Sequence, residues 1–466
     1  MSSICLAASI FLWFVLWIRV IYVDVTHDEA VTFLSVNEYS YTDIISGVWK
    51  SANNHVLSSV VIKFFTEIFG VSSYTLRLFS LICFLPFTFF FYRTLRALDF
   101  GNLSTVLGCL ICWMNPYLLD YFSLARGYAP AITMMMMSIF YAVEFTKNRR
   151  GSALILFCIG AMLSVLCNFV LLQFALVMSA LIVLFDMLKF GLRLRIISIV
   201  FFANVILFAM IYKPLQQIMS AGELYFGGHR GLYADTALSM AYTYLYGLFS
   251  WNYNGVLTVV LYSILLIMAI VLIIWHKIFR RINYSTRLLI VALLPLLLIF
   301  IKIQHELLGT LYHLARTTLF LQVIAILIGL VSLEIIRERF KVAATVIFTV
   351  WLSISISLVF LKLNFTSTLD NPGDTANKEA FEVLSPLALK FPEHELGADP
   401  IHEPPLRFYA LAAGDQLVIR KYEFKDTLLI SPVLCWTNDS LPFRNGGALQ
   451  GVFLSEKGNT VGYRLP

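Results

Sequence analysis

Charge is what this sequence has least of. Only 13% of its 466 residues are Asp, Glu, Lys or Arg, against 59% that are hydrophobic. A soluble domain carries roughly 25% charged residues, so the scarcity, with a mean hydropathy of +0.81, places most of the chain in lipid. Cysteine is sparse as well. Of seven cysteines, all but Cys435 lie in or beside apolar runs, and Cys435 has no partner in its own polar region, so no disulfide framework follows. Cys109 and Cys112 form a C-x-x-C inside an apolar helix, where packing is the simpler reading. The first apolar run, Ile4 to Val23, lacks a basic leader and an A-x-A-like cleavage site, and reads as a retained signal anchor. Arg19 near its outer end can reach the headgroups. Internal repeats and low-complexity segments are absent too.

What is present is a series of long apolar runs, each close to the ~20 residues that cross a bilayer. They fall near 4–23, 74–92, 103–119, 129–146, 152–168, 170–188, 196–212, 255–275, 287–303, 316–336 and 342–362. The expected fold is therefore an all-α polytopic membrane protein of about 11 transmembrane helices. The net charge of +6 is no nucleic-acid signal, because the basic residues cluster in short alternate loops. These hold Arg93 and Arg96; Lys147, Arg149 and Arg150; Lys189, Arg193 and Arg195; Lys277, Arg280, Arg281 and Arg287; and Arg337, Arg339 and Lys341. Short basic loops are cytoplasmic, which puts the N-terminus inside and the C-terminal tail outside, while the lack of retention signals and the compact loops favour a bacterial plasma membrane over an endoplasmic reticulum.

The outer face then holds the loop 24–73, the turn 120–128, the loop 213–254, the short loop 304–315 and the tail 363–466. In the first loop, Tyr41, Ile44, Ile45, Val48 and Trp49 recur at helical spacing after Thr42-Asp43. From His55 to Phe69, Leu57, Val60, Val61, Phe64 and Ile68 share one face, and Ser59, Lys63 and Thr66 another. Both stretches read as interfacial helices. Two domains are expected: a transmembrane module over 1–362 and a small C-terminal α/β or β-rich domain over 363–466. The tail turns polar after Asp370-Asn371-Pro372-Gly373 and carries β-rich runs at Gln416–Tyr422 and Thr427–Trp436. Roughly a hundred residues suffice for a small core, but no catalytic motif stands out in it. Asn364-Phe365-Thr366 and Asn438-Asp439-Ser440 match glycosylation acceptors, which occur often by chance.

Ionisable residues at a membrane edge are functional by default, and here they gather at outer helix ends. They are Asp28 and Glu29, His55, Arg77, Asp120, Arg126, His229 and Arg230, His305 and Glu306, and Arg316. A carboxylate facing arginines suits transfer from a phosphate-linked donor. The carboxylate takes the proton of an acceptor hydroxyl, and guanidinium groups hold the phosphate that leaves. The bland alternative is that Asp28 and Glu29 are solvated helix-capping charges and the arginines interfacial anchors. A transporter or lipid-linked glycan flippase is the rival reading from another class, though such proteins show repeats and broken helices near the midplane.

Three stretches carry a family resemblance. Thr26-His27-Asp28-Glu29-Ala30, Asn53-Asn54-His55, and Phe69-Gly70-Val71-Ser72-Ser73-Tyr74-Thr75-Leu76-Arg77-Leu78-Phe79-Ser80 together look like the N-terminal region of GT-C glycosyltransferases. More narrowly, they resemble the protein O-mannosyltransferase and lipid A aminoarabinose transferase superfamily. Leu124-Ala125-Arg126-Gly127-Tyr128-Ala129 is similar to its Ala-Arg-x-Tyr-Ala signature, and Cys167-Asn168-Phe169 stands where many members have His-Tyr-Phe. His313-Leu314-Ala315-Arg316-Thr317-Thr318 resembles the Arg-Tyr motif opening a late helix. The resemblance spans roughly residues 1–340. It implies inverting transfer of one sugar from a polyprenyl-phosphate donor to a glycan, lipid or protein acceptor on the non-cytoplasmic face, with membrane lipids as the other partner.

By the resemblance Asp28 is the base, with Glu29 beside it in the catalytic pair. Arg126, Arg316 and Arg77 are expected at the donor phosphate, and His55, Asp120, Tyr128 and His313 at the substrate. The chain departs from the family at Val56-Leu57, where relatives have Pro-Pro, and at Asn168, so sugar and acceptor stay unassigned. Some relatives bind a divalent cation near the acidic pair. No H-E-x-x-H or similar ligand spacing occurs here, so no metal or other cofactor is expected to be required.

The basic loops generate a direct test. A reporter active only outside the membrane should work when fused after residue 50, residue 235 or the C-terminus. One active only in the cytoplasm should work after 150, 191 or 281. A cytoplasmic C-terminus would put the span count wrong by an odd number.

Overall fold

Polar caps set where the helices begin. The computed structural model describes residues 1–224, 226–248, 285–371, 374–389, 395–398, 400–421, 432–436, 450–454 and 460–464. Helix α1 (Ser3–Tyr22) starts at Ser2, whose hydroxyl accepts from the Cys5 N–H. The outer loop that follows folds into three helices. These are α2 (His27–Glu38), α3 (Tyr41–Ser46) and α4 (Val56–Phe69). Thr26 and Glu29 form a capping box at α2, and Ser40 and Asp43 one at α3, each satisfying two free N–H groups reciprocally. The cap of α3 is thus Ser40 rather than Thr42. Gly47 ends it at a φ of 75°, and a Cβ there would meet the Pro214 backbone at 2.5 Å, so only glycine fits.

The helix α4 orients as an interfacial helix would. Ser58, Ser59 and Ile62 are buried against the protein, while Phe64, Ile68 and Phe69 are exposed. Its apolar face therefore looks outward, where lipid can cover it, and Lys63 donates back to the Val36 carbonyl at 2.8 Å.

The membrane bundle continues with α5 (Ser73–Ala97), α6 (Asn102–Trp113), α7 (Pro116–Phe122), α8 (Tyr128–Asn148), α9 (Gly151–Cys167), α10 (Leu172–Phe190) and α11 (Leu194–Ser220). After the short α12 (Leu238–Tyr244) come α13 (Ser285–Leu308), α14 (Leu319–Arg339) and α15 (Lys341–Lys362). Among the described residues, eight helices are long and apolar enough to cross a membrane, or nine if the bent pair α6–α7 counts as one span; α9 is a shorter apolar helix. The protein is an integral membrane protein. The expected span 255–275 lies outside the described residues.

The run 103–119 is broken rather than straight. Pro116 opens α7 with Asn115 as its cap, and the two axes meet at 67°. Proline has no N–H to continue the ladder and pushes the residue before it out of helix. The expected hairpin at Asn168 is present, with its side-chain oxygen accepting from the Val170 N–H at 3.1 Å. Helix α14 is the bundle's centre. Its whole membrane window is buried, against 17% of that of α11 and 22% of that of α15, as an all-round apolar helix requires.

The tail adds α16 (Asn377–Ala388), α17 (Glu403–Ala413) and a five-stranded mixed sheet. Its strands are β1 (Glu395–Ala398), β2 (Val418–Lys421), β3 (Pro432–Trp436), β4 (Gln450–Leu454) and β5 (Thr460–Arg464), in the order β2-β1-β3-β5-β4. β1 pairs in parallel with β2 and β3, and β5 antiparallel with β3 and β4. Helix α17 is the crossover between the parallel β1 and β2, as parallel pairing demands. The described part of the tail is therefore α/β rather than purely β. It packs on the outer loop, with Val25, Phe33 and Val36 sharing an apolar cluster with Phe381, Leu406 and Phe408.

Candidate active site

The first turn of α2 puts two neighbouring carboxylates into different worlds. Helix geometry turns successive side chains about 100° apart, so one enters the bundle and the other does not. Glu29 is wholly buried. Its Oε1 and Oε2 accept from Arg77 Nε at 2.8 Å and Nη2 at 2.7 Å. The Thr26 N–H (3.0 Å), the Thr26 hydroxyl (3.1 Å) and the Ala125 N–H (2.5 Å) donate to it as well. Arg77 is equally closed. Its Nη1 donates to the Val20 and Val23 carbonyls, and Nη2 also to that of Asp24. Burial alone would raise the Glu29 carboxyl, but Arg77 and the backbone donors outweigh it and hold the group below the usual carboxylate range.

Asp28 stays 17% exposed in its side chain. Its Oδ2 lies 2.7 Å from Arg316 Nη1 and 3.1 Å from Arg126 Nη1. The Arg316 contact is a hydrogen bond. The Arg126 contact is an ion pair whose Nη1 lacks hydrogen-bond alignment with any partner among the described residues. Asn53 Nδ2 approaches Oδ1 at 3.3 Å. Burial opposes ionisation of Asp28, but the two guanidinium groups outweigh it and hold its carboxyl well below the ordinary range. It is a permanently charged and weakly basic group as long as both arginines face it.

Each arginine is aimed by its own loop. Arg126 follows α7 in a tight turn whose Ala125 N–H is held by Glu29. The next residue must be small, because a Cβ on Gly127 would lie 2.2 Å from the Cys167 carbonyl oxygen and 2.6 Å from His55 Cγ. Arg316 sits in a 3-10 turn, Ala315–Thr318, ahead of α14. Ala315 takes a φ of 45°, a left-handed conformation that costs about 1–3 kcal/mol and persists only where the surroundings enforce it. Phe226 lies under the guanidinium at 4.4 Å.

His55 caps one side. Its ring meets Tyr128 edge-on at 5.6 Å, and Tyr128 in turn meets Tyr121 at 5.1 Å. Burial first, and then Arg126 and Arg316, push the imidazole down to about 3, so it is neutral. Its Nε2 is buried with no hydrogen-bond partner among the described residues.

The nine expected site residues therefore divide. Asp28, Arg126, Arg316, His55 and Tyr128 gather at one place. Glu29 and Arg77 do not join them as chemistry, because every polar atom of that pair is already used, leaving Glu29 no lone pair for an acceptor proton and Arg77 no N–H for a phosphate. Asp120, expected at the substrate, is instead closed within bonds of its own. It is buried, and it accepts from Arg19 at 2.5 Å, Tyr246 at 2.6 Å and the Leu369 N–H at 3.1 Å. His313 commits its Nε2 to Gln173 at 2.7 Å, with its ring against Phe320. Outside the site, Arg230 pairs with Asp235 and Glu306 with Lys302, and His305 stacks on Tyr312 at 4.2 Å.

Sequence reasoning missed Asn53 as a partner of Asp28, though it lies within a motif already singled out, and Phe226, which has no local signal. It also missed Asp370, whose Oδ2 accepts from the hydroxyls of Tyr117 and Tyr121. Among the described residues no group of three or more His, Cys, Asp or Glu side chains is arranged to hold a metal ion.

The fold is that of ArnT from Cupriavidus metallidurans. Against its structure bound to undecaprenyl phosphate the TM-score is 0.55 at 12% identity, covering 98% of this chain and 97% of that one. Against its apo structure the TM-score is 0.56 at 11% identity, covering 98% and 96%. No protein-family model and no curated protein matches the chain. At this identity the likeness establishes the architecture, and the chemistry has to be argued from the residues.

The Glu29–Arg77 assignment is testable by stability. Glu29→Gln or Arg77→Ala should each cost about 3–5 kcal/mol, the usual loss when one partner of a buried pair is removed, read as thermal unfolding in detergent. The sign of the pH effect follows from the lowered Glu29 carboxyl. Its contribution is fully present above the ordinary carboxylate pKa and is lost as pH falls through the lower folded value. The Glu29→Gln protein should therefore show less acid destabilisation than the wild type.

Proposed function

We propose that the protein is a membrane glycosyltransferase that moves one sugar from a polyprenyl-phosphate-linked donor to an acceptor hydroxyl on the extracytoplasmic face, with inversion. The carrying observation is one carboxylate oxygen shared by two arginines, Asp28 Oδ2 with Arg316 and Arg126, at the ends of apolar helices. The ArnT fold supports the reading, since one of its structures has undecaprenyl phosphate bound. So does the basic-loop pattern, which puts this end of the bundle outside the cytoplasm.

The proposed chemistry follows from the charges. The acceptor oxygen attacks the anomeric carbon, its proton passes to Asp28, and the bond to the phosphate oxygen breaks with its electron pair on the phosphate. Inversion sets base and leaving group on opposite faces of that carbon. A bound sugar must therefore part Asp28 from the arginines, which turn to the phosphate instead. That exchange also restores the basicity of Asp28, because the charges that held its carboxyl low now neutralise the leaving group. Neutral His55 offers its unpartnered Nε2 to a sugar hydroxyl, and Tyr128 backs it. Two guanidinium groups can supply the charge a cation would, so no metal is required in this reading.

Radiolabelled polyprenyl-phosphate sugars in reconstituted vesicles provide the test. Acceptor-dependent release of polyprenyl phosphate is expected, whereas a transporter or flippase would move the donor intact. Asp28→Asn should lower turnover 10²–10⁴-fold, the usual loss of a positioned base, with donor affinity unchanged or tighter because the arginines no longer leave a carboxylate. Arg316→Ala should weaken donor binding by about 1.5–3 kcal/mol, the worth of a charge-assisted bond, and lysine should rescue it only in part because it lacks the planar fork. A correctly inserted Asp28→Asn protein with wild-type turnover would remove the base assignment.

The metal question has its own readout. Turnover should persist after exhaustive EDTA treatment and should not rise on adding Mg²⁺, Mn²⁺ or Zn²⁺. Loss of activity in EDTA that one of these ions restores would refute a metal-free reaction.

A further inference from the structure

The tail carries no motif, yet its first residues complete the turn that holds Asp28. The first N–H groups of a helix have no partner inside it, and at the start of α2 those of Thr26, His27 and Glu29 each have one. The Thr26 N–H donates to Glu29 Oε2 at 3.0 Å and the Glu29 N–H approaches Thr26 Oγ1 at 3.4 Å, so the capping box serves these two. The His27 N–H, directly before Asp28, lies between them and is served by neither. It donates to Asp374 Oδ2 at 3.1 Å, across 347 residues of chain. The same stretch is held from the tail at four more points. Tyr409 Oη accepts from the Val25 N–H at 2.9 Å, and Asp24 Oδ2 accepts from the Lys378 N–H at 3.2 Å. Asn377 Nδ2 reaches the Val25 carbonyl at 3.4 Å, and the His27 ring bonds the Ile401 carbonyl at 2.9 Å.

We propose that Asp374 is a positioning residue of the transfer reaction, supplied by the tail to cap the first turn of α2 and fix where Asp28 meets Arg126 and Arg316. The geometry makes Asp374 the tail group closest in the chain of contacts to Asp28, with one backbone amide between them. Capping contacts of this kind matter to catalysis because a displacement of about 1 Å at a reacting group can cost 10²-fold in rate. The tail is thereby part of the reaction centre and not only a domain tethered beside it. The proposal rests on the reading of Asp28 as the reacting carboxylate, so its test includes an arm that needs no activity.

That arm is hydrogen–deuterium exchange over residues 26–30 in full-length protein. Asp374→Ala should raise exchange there about tenfold, while kcat falls about 10²-fold and KM for the polyprenyl-phosphate sugar stays within about twofold. Asp374→Asn keeps an oxygen that accepts the His27 N–H and should restore both protection and kcat. Asp374→Glu keeps the carboxyl but moves the oxygen by one methylene and should not; it also serves if the alanine protein does not fold. Unchanged protection in the alanine and glutamate variants would overturn the cap. Lost protection with unchanged kcat would overturn the positioning role, and so would an asparagine variant as impaired as alanine. If the wild type turns over no donor at all, the proposed reaction fails while the exchange arm still decides the cap.

Discussion

One buried ion pair organises the outer end of this bundle. Glu29 and Arg77 are both fully excluded from solvent, where an unpaired charge costs several kcal/mol and even a pair survives only if its remaining polar atoms are satisfied. Here they are. The fork geometry of arginine supplies five N–H donors, and its five hydrogen bonds go to Glu29 and to the carbonyls of Val20, Val23 and Asp24. The pair thus fastens the end of α1 to α5. Through Glu29 it reaches the first turn of α2 and the Ala125 amide. Three stretches distant in sequence, residues 20–29, Arg77 and Ala125, meet at a single side-chain contact.

The rest of the site depends on that contact geometrically. Arg126 directly follows the amide that Glu29 holds, and Asp28 directly precedes Glu29. The brace therefore sets both partners of the 3.1 Å contact between Arg126 and Asp28. Only Arg316 comes from elsewhere, and the enforced left-handed conformation at Ala315 aims it. Two adjacent carboxylates with opposite fates are a familiar physical device: environment, and not residue type, decides which one can react. Glu29 has spent its lone pairs on structure, whereas the Asp28 side chain stays 17% exposed and faces two arginines.

The sequence made the bundle legible because hydropathy is a local property, and each expected span within the described residues falls on an apolar helix. It was less informative where a single residue overrides the pattern. Pro116 breaks one apolar run into two helices with no change in hydropathy. At the site, the residue types were legible and their roles were not. Asp28 and Glu29 read as one acidic pair, and Arg77 as another phosphate ligand, because nothing local distinguishes a guanidinium closed by backbone carbonyls from a free one. Asp374 was invisible for the same reason. Its partner lies 347 residues away, and an aspartate in a polar tail carries no periodicity.

The site is walled by rings more than by charges. Tyr117, Tyr121, Tyr128 and His55 form a continuous edge-on series, with centroids 5.3, 5.1 and 5.6 Å apart. Edge-to-face contacts fix orientation as well as burying area. At one end the hydroxyls of Tyr117 and Tyr121 anchor on Asp370 of the tail, and at the other His55 packs against Gly127, beside Arg126. A neutral imidazole suits this wall better than a charged one, since two arginines already face the site and a third cation would repel them. The low pKa of His55 follows first from its burial and then from those arginines, and it leaves Arg126 and Arg316 as the cations facing Asp28. The brace fixes the floor of the site and the tail ties down the wall, which leaves Asp28 as the acid of the pair with a partly exposed side chain.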